Sequence, residues 1–155
     1  MKGIVPMLEA QHVRDLMVRY AYAIDKRDFA QLERYFTIDV DATYPGYSGR
    51  GRESLISYIA ASLRSYSSAV RHMHLISNVI CKPSDDIVNS ETYCLVIRAT
   101  TPSEDTTRQS LSTALSGVRY LDTVTADGDV YAIKSRQVIV DWRTNLTAAG
   151  EKQGS

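Results

Sequence analysis

Three kinds of side chain in this sequence could move protons. They are a carboxylate, Asp25, where one helical pattern ends and another starts; two histidines, His72 and His74; and ten tyrosines against two phenylalanines. A carboxylate beside an imidazole fixes the ring's tautomer and raises its basicity, giving a general base near neutral pH. In a regular strand His72 and His74 point to one face, so one of them could meet Asp25 across a pocket. Two other readings stand beside this one. Asp25 could cap a helix while the histidine is a core residue bonded to a backbone carbonyl. Alternatively, His72-x-His74 could be a metal pair, but further ligands would have to come from His12, Asp25 or Glu91 without a supporting motif, so no metal site is expected.

These side chains need elements to hold them. Val13, Leu16, Met17, Tyr20 and Ile24 recur at intervals of three and four, which predicts a helix over residues 8–24 with one buried stripe. Asp28 reads as the N-cap of a second helix, with Gln31 as the other half of a capping box. Phe29, Leu32, Tyr35 and Phe36 carry that helix over residues 29–36. Residues 37–44 are β-branched and alternating, a strand ended by Pro45-Gly46 with Tyr44 at its end. A glycine-rich loop over 46–52 lacks both a Gly-Lys-Ser/Thr ending and a strand-loop-helix-strand setting, so it is not a nucleotide site. Leu55, Ile56, Tyr58, Ile59 and Leu63 predict a third helix.

From Val70 the period becomes two, and four long strands are expected over about 70–82, 87–99, 108–123 and 130–142, joined as an antiparallel meander. Residues 83–86 and Asp127-Gly128 supply the tight turns and 100–107 a polar connection. Helices first and strands afterwards predict an α+β fold, with the N-terminal helices packed on a curved, mainly antiparallel sheet. A strongly twisted sheet around a helix makes a cone whose open end is a pocket. Tyrosines lining it could pack on an aromatic or polycyclic ligand while positioning its oxygens; those not lining it belong to the surface or a dimer interface.

At 155 residues the chain fits one domain, over 1–143, with a mobile tail over 144–155. Its 18 basic and 18 acidic residues cancel, against a nucleic-acid or membrane partner, leaving a small molecule or a second copy of the chain. No stretch has the length of a secretory signal or a membrane span, which predicts a cytoplasmic protein. Cys81 and Cys94 are expected to be two reduced thiols, because a hairpin sets Cys94 opposite a residue well before Cys81. The sequon at Asn145 is disregarded on the same ground of compartment. Arg71, Arg98, Arg119, Lys134 and Arg136 could reach the pocket mouth to bind an acidic substrate, but isolated charges on alternating strands usually lie on the solvated outer face of the sheet, where they are placed; Trp142 is placed as a core or interface plug.

The segment 23–29, with Tyr44 nineteen residues after Asp25, and then His74-Leu75-Ile76-Ser77-Asn78, resembles the SnoaL-like and scytalone-dehydratase-like branch of the nuclear-transport-factor-2-like, cystatin-like superfamily. Residues 117–122, Asp127-Gly128, Ile133 and Asp141-Trp142 resemble the ends and turns of that family's last strands. The resemblance implies a cone-shaped α+β fold, a homodimer or homotrimer, and a pocket inside the cone. It implies Asp25 and His74 as a proton-transfer pair and Tyr44 as the group on the substrate's carbonyl or a water. Two features of scytalone dehydratase are not matched: Ile24 stands where it has a tyrosine, and 115–117 where it has a second histidine. Tyr20 or Tyr120 could supply the missing hydroxyl, and His72 and Asn78 join them as substrate-binding candidates. The implied reaction is dehydration of a small hydrophobic, cyclic or aromatic hydroxy-carbonyl compound, with isomerisation or polyketide cyclisation as alternatives. None needs a metal or organic cofactor. A non-catalytic binding or assembly module is the rival from another class.

Overall fold

In the computed structural model, which describes residues 5–84, 86–100, 112–127 and 130–147, the first apolar stripe lies on helix α1 (Val5–Lys26). Val13, Leu16, Met17, Tyr20 and Ile24 are all buried from it. Burying each such side chain contributes roughly 1.5–3 kcal/mol before the entropy of ordering it is set against that gain. The short helix α2 (Phe29–Glu33) starts at Asp28, whose carboxylate accepts from the Gln31 N–H at 3.0 Å. It ends earlier than its spacing predicts. Phe36 begins strand β1 (Phe36–Tyr44), where it is buried and pairs with Ile133.

The expected glycine-rich loop is a hairpin. Gly46 at φ +85° turns the chain into strand β2 (Tyr47–Arg50), antiparallel to β1, and Gly51 at φ +103° starts helix α3 (Arg52–Arg64). Both glycines hold backbone conformations that other residues rarely adopt. Leu55, Ile56, Ile59 and Leu63 bury one face of α3.

Four long strands follow: β3 (Val70–Ser84), β4 (Ile87–Thr100), β5 (Ser112–Asp127) and β6 (Val130–Thr147). Together with β1 and β2 they make one six-stranded sheet in the order β2-β1-β6-β5-β4-β3. The meander is antiparallel as expected, and only β1 on β6 is parallel, so the sheet is mixed. Strand β6 continues to Thr147, past the expected end at Trp142. The turn at 128–129, most of the 100–107 connection and residues 148–155 lie outside the described residues. The helices pack on the sheet's inner face, α1 mainly on β3 and α3 on β1 and β2, and the core lies between. Cys94 pairs with Ile76 and Cys81 with Ser90, leaving two free thiols. No helix among the described residues is long and apolar enough to cross a membrane.

Candidate active site

Asp25 is held by the way α1 ends. The Arg27 N–H donates to the Ile24 carbonyl at 3.0 Å and the Asp28 N–H to the Ala23 carbonyl at 2.9 Å, with Arg27 in the left-handed region at φ +55°. This pair of bonds closes a helix C-terminus, a place where glycine is the usual left-handed residue. Asp28 then caps α2 at once, so Asp25 sits two residues before the left-handed corner at Arg27.

Opposite lies β3, the sheet's edge strand, whose free side has N–H groups with no strand partner. Asp25 Oδ2 accepts the His74 backbone N–H at 3.0 Å, and Oδ1 lies 2.7 Å from His74 Nδ1. A carboxylate only accepts, so Nδ1 carries the proton and Nε2 is left with a lone pair. The two side chains are only 12% and 22% exposed, His74 and Asp25 respectively, so bulk water competes weakly for this contact.

His74 lines a cavity of about 310 Å³ inside the cone. Tyr20, Tyr44, Tyr58, Tyr66 and Tyr120 line it as well, between apolar patches from Ile24, Ile59, Leu63, Val96, Val118, Val138 and Val140. The Tyr20 and Tyr44 hydroxyls are 3.4 Å apart. Burial pushes the pKa of Tyr20 up, and those of Tyr44 and Tyr120 well up, so all three remain neutral hydrogen-bond donors. His72 shares the inner face with His74, its ring edge-on to Tyr66 at 4.8 Å. Its pKa is lowered to about 4, first by burial and then by the charges of His74, Arg27 and Arg98, with Asp25 acting the other way. At neutral pH His72 is an uncharged imidazole.

The cavity brings together Tyr20, Tyr44, His72, His74 and Tyr120, with Asp25 behind His74. Asn78 is not among them: Ser77 and Asn78 interrupt the β3 register between Ile76 and Val79, and Asn78 is exposed. Glu91, which the sequence offers as a further metal ligand, faces outward and accepts from Arg119 at 2.9 Å. Trp142 is 49% exposed and covers Gly117 on the outer face, so it is no core plug.

The outer-face assignment of the basic residues is corrected at two positions. Arg98 lines the cavity. Arg136 is 2% exposed and makes a two-point pair with Asp122, both bonds at 2.7 Å. Its guanidinium lies between the rings of Tyr20 and Tyr120, 4.1 and 4.4 Å from their centroids, and so backs the tyrosine wall. Burial opposes its charge most strongly, but the charge and hydrogen bonds of Asp122, together with Tyr44 and Tyr20, hold its pKa well above the ordinary value. The signal for this pair was Asp122 itself, which alternates with Val118, Tyr120 and Val124 and therefore faces inward.

Residues 7–137 match the profile of the SnoaL-like domain. No curated protein matches the sequence. Among solved structures, a candidate scytalone dehydratase from Novosphingobium aromaticivorans is similar at TM-score 0.74 and 20% identity, over 90% of this chain and 88% of that one. A hexachlorocyclohexane dehydrochlorinase, LinA type 3, from Novosphingobium barchaimii superposes at TM-score 0.74 with 16% identity, over 93% of this chain and 94% of the other. ActVI-ORFA from Streptomyces coelicolor does so at 0.69 with 17% identity, over 84% and 93%. At such identities these structures establish a common fold.

Proposed function

The chain belongs to the SnoaL-like family, and from that premise we propose that it is a cofactor-independent lyase of the dehydratase type. Its substrate is a small hydrophobic, cyclic or aromatic hydroxy-carbonyl compound. The observation that carries this reading is the two-point clamp of Asp25 on His74, which fixes the tautomer with Nε2 as the base at the cavity wall. Nε2 takes the proton from the carbon beside the carbonyl, and Asp25 stabilises the imidazolium that forms. The electron pair moves into the carbonyl to give an enolate, whose oxygen receives hydrogen bonds from Tyr44 and Tyr20. When the enolate collapses, the β-hydroxyl leaves and the imidazolium returns the proton to it, so that water is the second product. The name of the dehydrochlorinase among the structural neighbours describes another elimination, which supports the reaction type.

Screening cyclic and aromatic β-hydroxy ketones for water loss tests the reading. The wild type is expected to turn over at least one of them, and His74→Gln and Asp25→Asn to lose roughly a hundredfold or more of that rate while still binding the substrate. Unchanged turnover in His74→Gln would remove the general base and leave a binding module. Uptake of solvent deuterium without water loss would reassign the enzyme as an isomerase.

A further inference from the structure

We propose that the substrate carries a carboxylate and that Arg98 binds it, with Arg143 assisting at the cavity mouth. This inference rests on the reading of the cavity as a proton-transfer site and specifies what enters it. Arg98 and Arg143 both line the cavity, and among the described residues no aspartate or glutamate does. Asp25, behind His74, has both oxygens committed to that residue. Elsewhere in the described residues arginines facing carboxylates are clasped by them: Arg136 by Asp122, Arg119 by Asp141 and Glu91, and Arg50 by Asp39. Neither Arg98 nor Arg143 has such a partner among the described residues.

Arg98 is nevertheless held in place. Its Nη1 donates to the Tyr66 hydroxyl at 2.8 Å, and its guanidinium lies over the Tyr66 ring at 5.6 Å from the centroid. Both contacts orient the side chain without neutralising it, and most of the five guanidinium N–H groups remain for a planar two-oxygen acceptor. His72, opposite Arg98 in the β3–β4 ladder, is uncharged and adds a polar edge without a competing cation. Along the inner face, Arg98 lies one inward position beyond Val96, the partner of His74. That step is roughly 7 Å along a strand, about the width of a six-membered ring between the acidic carbon and the carboxylate.

Three probes of one shape test this: 2-naphthoate, its neutral amide, and 2-naphthyl phosphate, with affinities measured by calorimetry at pH 7 in the wild type and in His74→Gln. The carboxylate is expected to bind about tenfold or more tightly than the amide. Arg98→Gln should erase that ratio while leaving amide affinity unchanged, Arg98→Lys should keep part of it, and Arg143→Gln should reduce it. Equal affinities in the wild type, no binding of either compound, or a ratio that survives Arg98→Gln would overturn the proposal. Tighter binding of the phosphate than of the carboxylate would overturn the choice of anion. The wild-type ratio needs no variant, so a poorly folding Arg98→Gln does not stall the test. Because affinity is also read in His74→Gln, a failed ratio counts against the anion subsite alone, and the proton-transfer reading stands or falls on turnover.

Discussion

Two aspartates in this fold do geometrically similar things to different ends. Asp25 grips His74 through two hydrogen bonds at 3.0 and 2.7 Å, and Asp122 grips Arg136 through two at 2.7 Å. The first pair joins a helix end to an edge strand at the wall of the cavity, with a base that can give and take a proton. The second lies between two central strands with both side chains 0% exposed, and its base cannot deprotonate in water. Two-point contact alone therefore does not mark a catalytic pair. Access to the cavity and a titratable partner are what suit the first pair to the proposed proton transfer.

The largest expected effect breaks the buried pair. Asp122→Asn or Arg136→Met leaves one charge without its partner in the interior, and stability measured by urea unfolding should fall by about 3–5 kcal/mol. The double replacement Asp122→Leu with Arg136→Met should recover most of that loss, since a packed apolar pair often equals a buried ionic one. At the other pair the weights are reversed: Asp25→Asn should cost only about 1–2 kcal/mol, while turnover falls a hundredfold or more. If the two asparagine variants unfold at the same urea concentration, the division into a supporting and a working pair fails.

A smaller effect separates the two hydroxyls on the tyrosine wall. In the proposed mechanism Tyr44→Phe removes one of two donors to the enolate oxygen, and because Tyr20 remains, kcat should drop about tenfold with KM nearly unchanged. Tyr20→Phe should lower stability as well, because a less electron-rich ring would then face Arg136. A Tyr44→Phe enzyme with normal kcat and raised KM would move that hydroxyl from the transition state to ground-state binding.

The working pair was more legible in the sequence than the supporting one, for a physical reason. Asp25 stood at a visible junction between two helical patterns, and His74 alternated cleanly with His72 and Ile76 on one face. Three of the misplaced residues sit at bulges, where an extra residue breaks the period of two, whereas Arg98 lies on a regular ladder opposite His72 and has its inward parity. Asn78 has the parity of His72 and His74 but lies within the interruption between Ile76 and Val79, and it is exposed. Trp142 has the parity of Val138 and Val140, yet the irregularity at Gly117/Val118 puts it on the outer face. Arg136 is an odd step from Ile133, and both are buried because the register shifts at Thr123/Val124. Phe36 was drawn into α2 by its spacing, and the parallel pairing of β1 with β6 that claims it is a long-range contact with no local signature.

His72 is the natural control for the comparison, a second imidazole on the same strand face with no carboxylate gripping it. Its folded pKa of about 4 lies below the ordinary 6.5, chiefly through burial, with His74, Arg27 and Arg98 lowering it further and Asp25 opposing. Above about pH 6.5 the ring is neutral in both folded and unfolded chains, so it contributes no pH dependence. Between about 6.5 and 4 the unfolded chain takes up a proton that the folded chain refuses, so stability falls as the pH is lowered through that window. Because the residue is only partly buried the effect should be small, and it shows as a slope. Urea midpoints measured from pH 7 to 4 should decline less steeply in His72→Gln than in the wild type. An unchanged slope would mean that His72 is protonated in the fold as readily as in the open chain. In that case burial in the cavity would not be what keeps the ring neutral.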